Sequence, residues 1–336
     1  MTFARLALAG ATALALSLPL VATSAFAQKT TLRVTLQLPL KAHLGQNLLV
    51  FKDEVEKISG GDIAVEIYDS AQLYKDNEVP QAVGSGAIEM GVASLTRYVG
   101  DVPAVDIFYT PFTFNSEELV HKATAPGSPV RQPLDDAILK TGSRVLWWQA
   151  YGGCVLLSKG APIATPADLK DKKVRVFGKT LGRWIKAAGG APTLISGSEQ
   201  YLAYQRGTVD IGMTGISGVK SRRLWEVMDT ITATNNADIE FIVVINEKFW
   251  QGLPEQHREW IRQAALFAEK DVRDAMSEIE RAAFAEATRN GMTVYNPTPE
   301  DLEAWKAAAQ PVFDDYLAGS GDLGKQVYDA ALALHQ

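Results

Sequence analysis

The run from Leu169 to Thr214 constrains the fold more than any other part of the chain. It opens LKDKKVRVFG, where Arg175 stands between two valines, and it closes RGTVDIGMTG, an apolar strand running into glycine. Between them the patterning predicts a helix, the strand APTLI and a second helix opening SGSEQYL. Strand–helix–strand–helix–strand is half of an open α/β domain, and such domains hold ligands beyond the carboxyl ends of their strands. Arg175 and Thr214 fall at or just past two of those ends. A small anion is expected there.

The same unit occurs earlier in the chain. Gly86–Val92 (GAIEMGV) matches Gly207–Met213 (GTVDIGM) in character at each position, and the same offset sets Glu78 on Glu199. Two similar α/β lobes with a cleft between them follow from this doubling. The stretch SRVLWWQAYGGCVLLSKG would finish the first lobe with Ser143–Tyr151 and begin the second with Cys154–Ser158. A strand running straight from one lobe into the other makes a hinge. The lobes are expected over 28–151 plus about 238–275, and over 152–237 plus about 276–336. Helices are expected over Leu44–Ile58, Glu117–Ala123, Pro129–Lys140, Thr298–Leu317 and Asp322–Leu334. One much longer helix, Pro254–Asn290, keeps a stripe of Ile261, Ala264, Ala268, Val272, Ala275, Ile279, Ala282 and Ala287. At 1.5 Å per residue it would be roughly 54 Å long and could lie along both lobes. Ser196 and Glu199 have the spacing of a capping box, and Thr165-Pro166-Ala167-Asp168 reads as a second helix start.

Composition narrows the class. Met1–Ala27 carries one arginine, an apolar run from Leu6 to Val21 and a small-x-small ending, the pattern of an export signal cleaved before Gln28. Net charge is −6 without basic runs, which disfavours nucleic acid as a partner. A single cysteine, Cys154, rules out an internal disulfide, so core packing must supply the stability. A soluble periplasmic protein, monomeric by default, fits these features.

No catalytic constellation emerges. His43, His121, His257 and His335 stand at no metal-ligand spacing, so neither a metal nor a cofactor is expected. Cys154 has no histidine near it in sequence, GSGAIEMG lacks the lysine of a phosphate loop, and Gly215-Ile216-Ser217-Gly218 is only part of a nucleophile elbow. On pattern alone Arg175 reads as a solvated strand residue, sharing a face with Lys173 and Phe177. Its guanidinium could equally grip a carboxylate through two parallel hydrogen bonds. Trp147, Trp148 and Tyr151 cluster on the hinge strand, and alternation lets at most one of the two tryptophans reach a cleft.

These segments resemble the substrate-binding subunits of tripartite ATP-independent periplasmic (TRAP) transporters of the C4-dicarboxylate-binding type. The resemblance runs from Gln28 to Gln336 and rests on FKDEVEKISGGDIAVEIYDSAQLYKDNE, GAIEMGVAS, FYTPFTF, ADLKDKKVRV and SEQYLAYQRGTVDIG. It implies a two-lobed binding-protein fold of type II, hinge strands, one long helix spanning both lobes, and closure on an organic acid. The acid would then pass to a TRAP membrane permease. It further implies that Arg175 pairs with a ligand carboxylate and that Gln37, Asp76, Ala93, Ser94 and Thr214 line the site. Many members carry a second arginine just after the hinge glycine, where this chain has Cys154. Sialic acid-type members carry asparagine where this chain has Thr214. Both departures point away from a dicarboxylate and from a sialic acid. The expected ligand is therefore a carboxylate held by Arg175 alone, with an aromatic or less polar remainder near Trp148 and Tyr151. The receptor of an ATP-driven importer, a ligand-presenting partner of a sensor, and a periplasmic enzyme using Cys154 remain as alternatives.

Overall fold

Two trios of short parallel strands are joined by one long strand that belongs to both. The structure is a computed structural model describing residues 29–335, so the expected export segment lies outside the described residues. The strands are β1 (Thr30–Thr35), β2 (Ile63–Tyr68), β3 (Met90–Ser94), β4 (Ser143–Ser158), β5 (Lys173–Val176), β6 (Ala191–Leu194), β7 (Ile211–Gly215), β8 (Thr230–Thr232), β9 (Asp238–Asn246) and β10 (Thr293–Tyr295). Their order is β2-β1-β3-β9-β4-β7-β5-β6, with β8 pairing to β4 and β10 to β8. β1 lies between β2 and β3 in parallel, as β5 lies between β6 and β7. The first trio meets β4 through antiparallel β9, and the second meets β4 directly through antiparallel β7. Continuous apolar runs such as Phe241–Ile245 suit strands covered on both faces.

The repeated glycines have a packing reason. A Cβ on Gly91 would stand 2.7 Å from Val79 Cγ1 and 3.1 Å from Val83 Cγ2. One on Gly212 would stand 2.5 Å from Tyr204 Cζ. In each lobe the preceding helix presses onto the strand at the glycine, and Val83 and Tyr204 occupy equivalent places.

β4 is a single strand of 16 residues. Its glycines are absorbed by an irregularity between Ala150 and Gly152, with Gly152 at φ 92°. Only glycine adopts that conformation readily. Glu280 Oε1 accepts the Gly153 N–H at 2.7 Å. The hinge strand is thus pinned from the long helix, Glu255–Arg289. That helix has 35 residues, about 52 Å. It buries Ile261, Ala264 and Ala268 toward the helix His43–Ile58, and Ala283 and Ala287 in the second lobe's core.

The carboxyl-terminal region differs from expectation in two ways. The helix expected over Thr298–Leu317 is two helices, Pro299–Ala307 and Gln310–Gly319. Pro311 near the start of the second has no N–H for an intrahelical bond, and its ring clashes with the turn before it. This tail was also expected on the second lobe. Its last helix, Gly321–Ala333, packs instead on the turn Pro103–Tyr109. Tyr316 Oη donates to Ala104 O at 3.0 Å, and His335 Nε2 lies 2.9 Å from Thr113 O. The tail therefore ties the two lobes together, because apolar surface exposed by that irregular turn is covered there. No helix among the described residues is long and apolar enough to cross a membrane.

Candidate ligand-binding site

The carboxyl ends of β1, β3, β5 and β7 face one another across the cleft. Between them is a cavity lined by Gln37, Asp76, Ser94, Arg97, Tyr151, Arg175, Phe177, Gly197, Thr214, Arg222, Ile239 and Phe241. The cavity is small, with about 300 Å³ of space among its lining atoms including its opening to solvent. The lobes are closed down on it, and the cavity suits a small molecule.

Arg175 is not solvated. It is 3 % exposed, its Nε donates to Ile195 O at 3.0 Å and its Nη1 to Met213 O at 2.5 Å. Two backbone carbonyls thereby lock the plane of the guanidinium. No described residue accepts from Nη2, which leaves one arm of the fork for the cavity. The Phe177 ring lies 5.4 Å from its central carbon. Burial pulls the guanidinium down to about 10, opposed by Tyr204 and reinforced by the charges of Arg222 and Arg97. It remains a cation at neutral pH, and an anion beside it would restore what burial removes.

Arg175 is not the cleft's only cation, contrary to expectation. Arg97, in the turn Leu95–Tyr98 after β3, and Arg222, at the end of the short helix Ile216–Ser221 after β7, both reach the cavity. Arg97 Nε donates to Asp76 Oδ2 at 2.7 Å, both side chains being nearly fully buried. Arg222 donates to Thr214 Oγ1 and to Tyr151 Oη at 3.0 Å each, and to Gly197 O at 3.1 Å. Asp76 also serves the opposite lobe. The Ser196 hydroxyl lies 2.8 Å from Asp76 Oδ1 and 3.0 Å from Gln37 Oε1, one proton between two acceptors. Ser196 therefore makes no helix cap, and the expected capping box is absent. Outside this contact, Lys75 Nζ and Glu199 Oε1 pair at 2.9 Å.

Of the residues expected at the site, Gln37, Asp76, Ser94, Tyr151, Arg175 and Thr214 are brought together at the cavity. Ala93, Trp148 and Cys154 are not among its lining residues. The Ala93 side chain is buried in the first lobe's core, as alternation along β3 requires once Ser94 faces the cleft. Trp148 is fully buried; its indole N–H donates to Asp135 Oδ1 at 2.8 Å, and Arg131 lies 5.4 Å from its ring centroid. Trp147 is also buried, donating to Asn47 Oδ1 at 3.0 Å, so neither tryptophan reaches the cleft. The Cys154 thiol is fully buried and its pKa is pushed up by that burial, the opposite of a nucleophile's environment. Among the described residues no group of histidines, cysteines and carboxylates is arranged to hold a metal ion. Sequence reasoning missed chiefly Arg97, Arg222 and Phe241, and for the two arginines there was one usable signal. A cation in the first turns after β3 or β7 must lie over the cleft, since those strands end there.

Residues 37–319 match the family model for bacterial extracellular solute-binding proteins, family 7. The chain is 28% identical to the C4-dicarboxylate-binding periplasmic protein DctP of Rhodobacter capsulatus, over 92% of each chain. Among solved structures it is similar to a Bordetella pertussis extracytoplasmic solute receptor binding pyroglutamic acid. The TM-score is 0.86 at 22% identity, covering 90% of this chain and 99% of that one. A TRAP periplasmic solute-binding protein of Sulfurospirillum deleyianum with bound succinate gives a TM-score of 0.83 at 25% identity, covering 89% and 98%.

Proposed function

Because the chain belongs to family 7 of the bacterial extracellular solute-binding proteins, we propose that it is a periplasmic receptor that closes on a small organic acid anion and delivers it to a TRAP-type permease. One observation carries the reading of the site: the buried Arg175 guanidinium, fixed on two sides by carbonyls, has its remaining arm directed to a small cavity at the strand ends. A carboxylate entering that cavity gains a charge-assisted hydrogen bond from a cation that needs no reorganisation. Gln37, Ser94 and Thr214 supply polar contacts, while Phe177, Ile239 and Phe241 exclude water. The hinge lies at Gly152–Gly153 and in β9, with lobes of about 28–151 plus 238–275 and 152–237 plus the long helix's second half. The receptor works as a monomer, without cofactor or chemical conversion of its ligand.

Calorimetry over a panel of carboxylic acids tests this. A panel acid should bind, and Arg175→Gln should weaken it by roughly 2–5 kcal/mol. Near-unchanged affinity in the variant would remove Arg175 from the site. Ligand recovered chemically altered after incubation would refute the receptor assignment.

A further inference from the structure

We propose that Asp106 is a closure residue: the first lobe seats its carboxyl against the amino end of the second lobe's helix Lys179–Ala187 when the cleft shuts, which links ligand capture to the ionisation of that carboxyl. This rests on the reading of the cleft as one that closes on an acid.

Asp106 lies in the turn Pro103–Tyr109, which follows β3 of the first trio. The helix Lys179–Ala187 follows β5 of the second. Its N-cap residue is Gly178, which has no side chain with which to cap it. The lobes touch at that point. A Cβ on Gly178 would stand 2.8 Å from Thr96 Oγ1, in the turn Leu95–Tyr98 after β3. The Thr96 hydroxyl donates to Asp106 Oδ1 at 2.7 Å. From the helix's first turn, Thr180 offers its hydroxyl and its N–H to the same carboxyl. Asp106 is only 1 % exposed, and its Oδ2 is left a buried oxygen without a partner of good geometry among the described residues. This contact adjoins the ligand cavity: Phe177, which lines it, precedes Gly178 and meets the Tyr109 ring edge-on at 5.9 Å.

The charges around Asp106 are engaged elsewhere. Arg183, on the same helix, is half-exposed with its Nε 3.9 Å from Asp315 Oδ2. Arg97 is committed to Asp76. Tyr109, on the turn itself, donates to Glu240 O, and the Glu240 carboxylate is paired with Arg273. Tyr316 donates to Ala104 O. The last helix, Gly321–Ala333, keeps Asp322, Lys325 and Asp329 exposed. A helix amino end favours a carboxylate, but this one has lost its water. Burial outweighs the hydrogen bonds and raises it to about 6. In an open cleft water returns to Asp106, and the ordinary carboxyl value with it. The shut form therefore holds a proton that the open form releases. This contribution to closure is full at low pH and fades as pH rises through about 6.

Succinate, malate, lactate and pyroglutamate are titrated by calorimetry into wild type and Asp106→Asn from pH 5 to pH 8. Comparing two proteins on one acid cancels that acid's own ionisation. Wild-type affinity relative to the variant should rise roughly tenfold from pH 8 to pH 5, the ratio set by a value of about 6 in the shut form and an ordinary one in the open form. Thr96→Val removes a donor that favours the charged carboxyl, so it should move the midpoint of the wild-type profile to higher pH. An Asp106 that merely supports the fold would change affinity by one factor at every pH, and that result overturns the proposal. Should Asp106→Asn fail to fold, Thr96→Val decides, and an unmoved midpoint overturns it. If none of the acids binds wild type at any pH, the receptor reading fails and this proposal with it. Binding with a ratio that ignores pH removes this proposal alone.

Discussion

Replacing Gly152 with alanine tests the hinge without knowledge of the ligand. Gly152 sits at φ 92°, and a Cβ there would stand 2.3 Å from Glu280 Oε1, 2.8 Å from its Cδ and 2.9 Å from Met276 Cε. Two costs follow. An alanine in the left-handed region is strained by about 1–2 kcal/mol. The carboxylate must also leave the Gly153 N–H, which it accepts at 2.7 Å, and a hydrogen bond to a charged group is worth about 1.5–3 kcal/mol. Gly153 is half-buried, so water replaces part of that bond and the lower end applies. The sum is about 3 kcal/mol, with Met276 able to swing aside. Urea unfolding followed by circular dichroism measures it. Gly100→Ala, with nothing within 4 Å of the added carbon, is the control and should change little. In Glu280→Ala the hydrogen bond is already gone, so adding Gly152→Ala should cost only the backbone strain. If Gly152→Ala costs under about 0.5 kcal/mol, or costs the same in both backgrounds, the pinning of β4 by the long helix is refuted.

Two further predictions concern closure and pH. Ser196→Ala removes the hydroxyl that meets Asp76 and Gln37 across the cleft, so closed-state lifetime should fall. Stopped-flow release of a bound acid should speed by roughly tenfold with the association rate little changed, since most affinity differences lie in dissociation; an unchanged release rate would argue that this contact does not latch the lobes. Burial raises Asp106 to about 6, against hydrogen bonds from Thr180 and Thr96 that favour its charged form. The folded protein therefore holds a proton that the unfolded chain releases at the lower, ordinary carboxyl value. From this group, stability is greatest at low pH and is lost as pH rises through about 6. Asp106→Asn should flatten that part of the profile in urea melts between pH 4.5 and 8, and an unaltered slope would count against it.

Much of the site was legible because strand ends are. Apolar runs bounded by glycine located β3, β5 and β7, and whatever follows such an end must overlook the cleft; Arg175, Ser94 and Thr214 were found this way or through the family pattern. Trp148 was misplaced because a strand pattern says which residues alternate, not which face is covered, and here β4 is covered on both. Ser196 was misread because local spacing fits a helix cap equally well, and only the approach of the opposite lobe offers its hydroxyl better acceptors. Cys154 drew attention as a missing cation. The cleft's further cations, Arg97 and Arg222, stand elsewhere along the chain, where no spacing rule connects them to it.

Local periodicity, and glycines that short-range packing demands, are enough to yield the architecture: two α/β units, their repeat, the hinge strand and the long helix. The charge of the cleft is not written in any local pattern and follows from the folded arrangement of its side chains. Whether an arginine is solvated, paired with Asp76 or left unmatched depends on which side chains meet across two lobes distant in sequence, and electrostatic matching in a closed cavity is set by those separations, not by the order of residues along the chain.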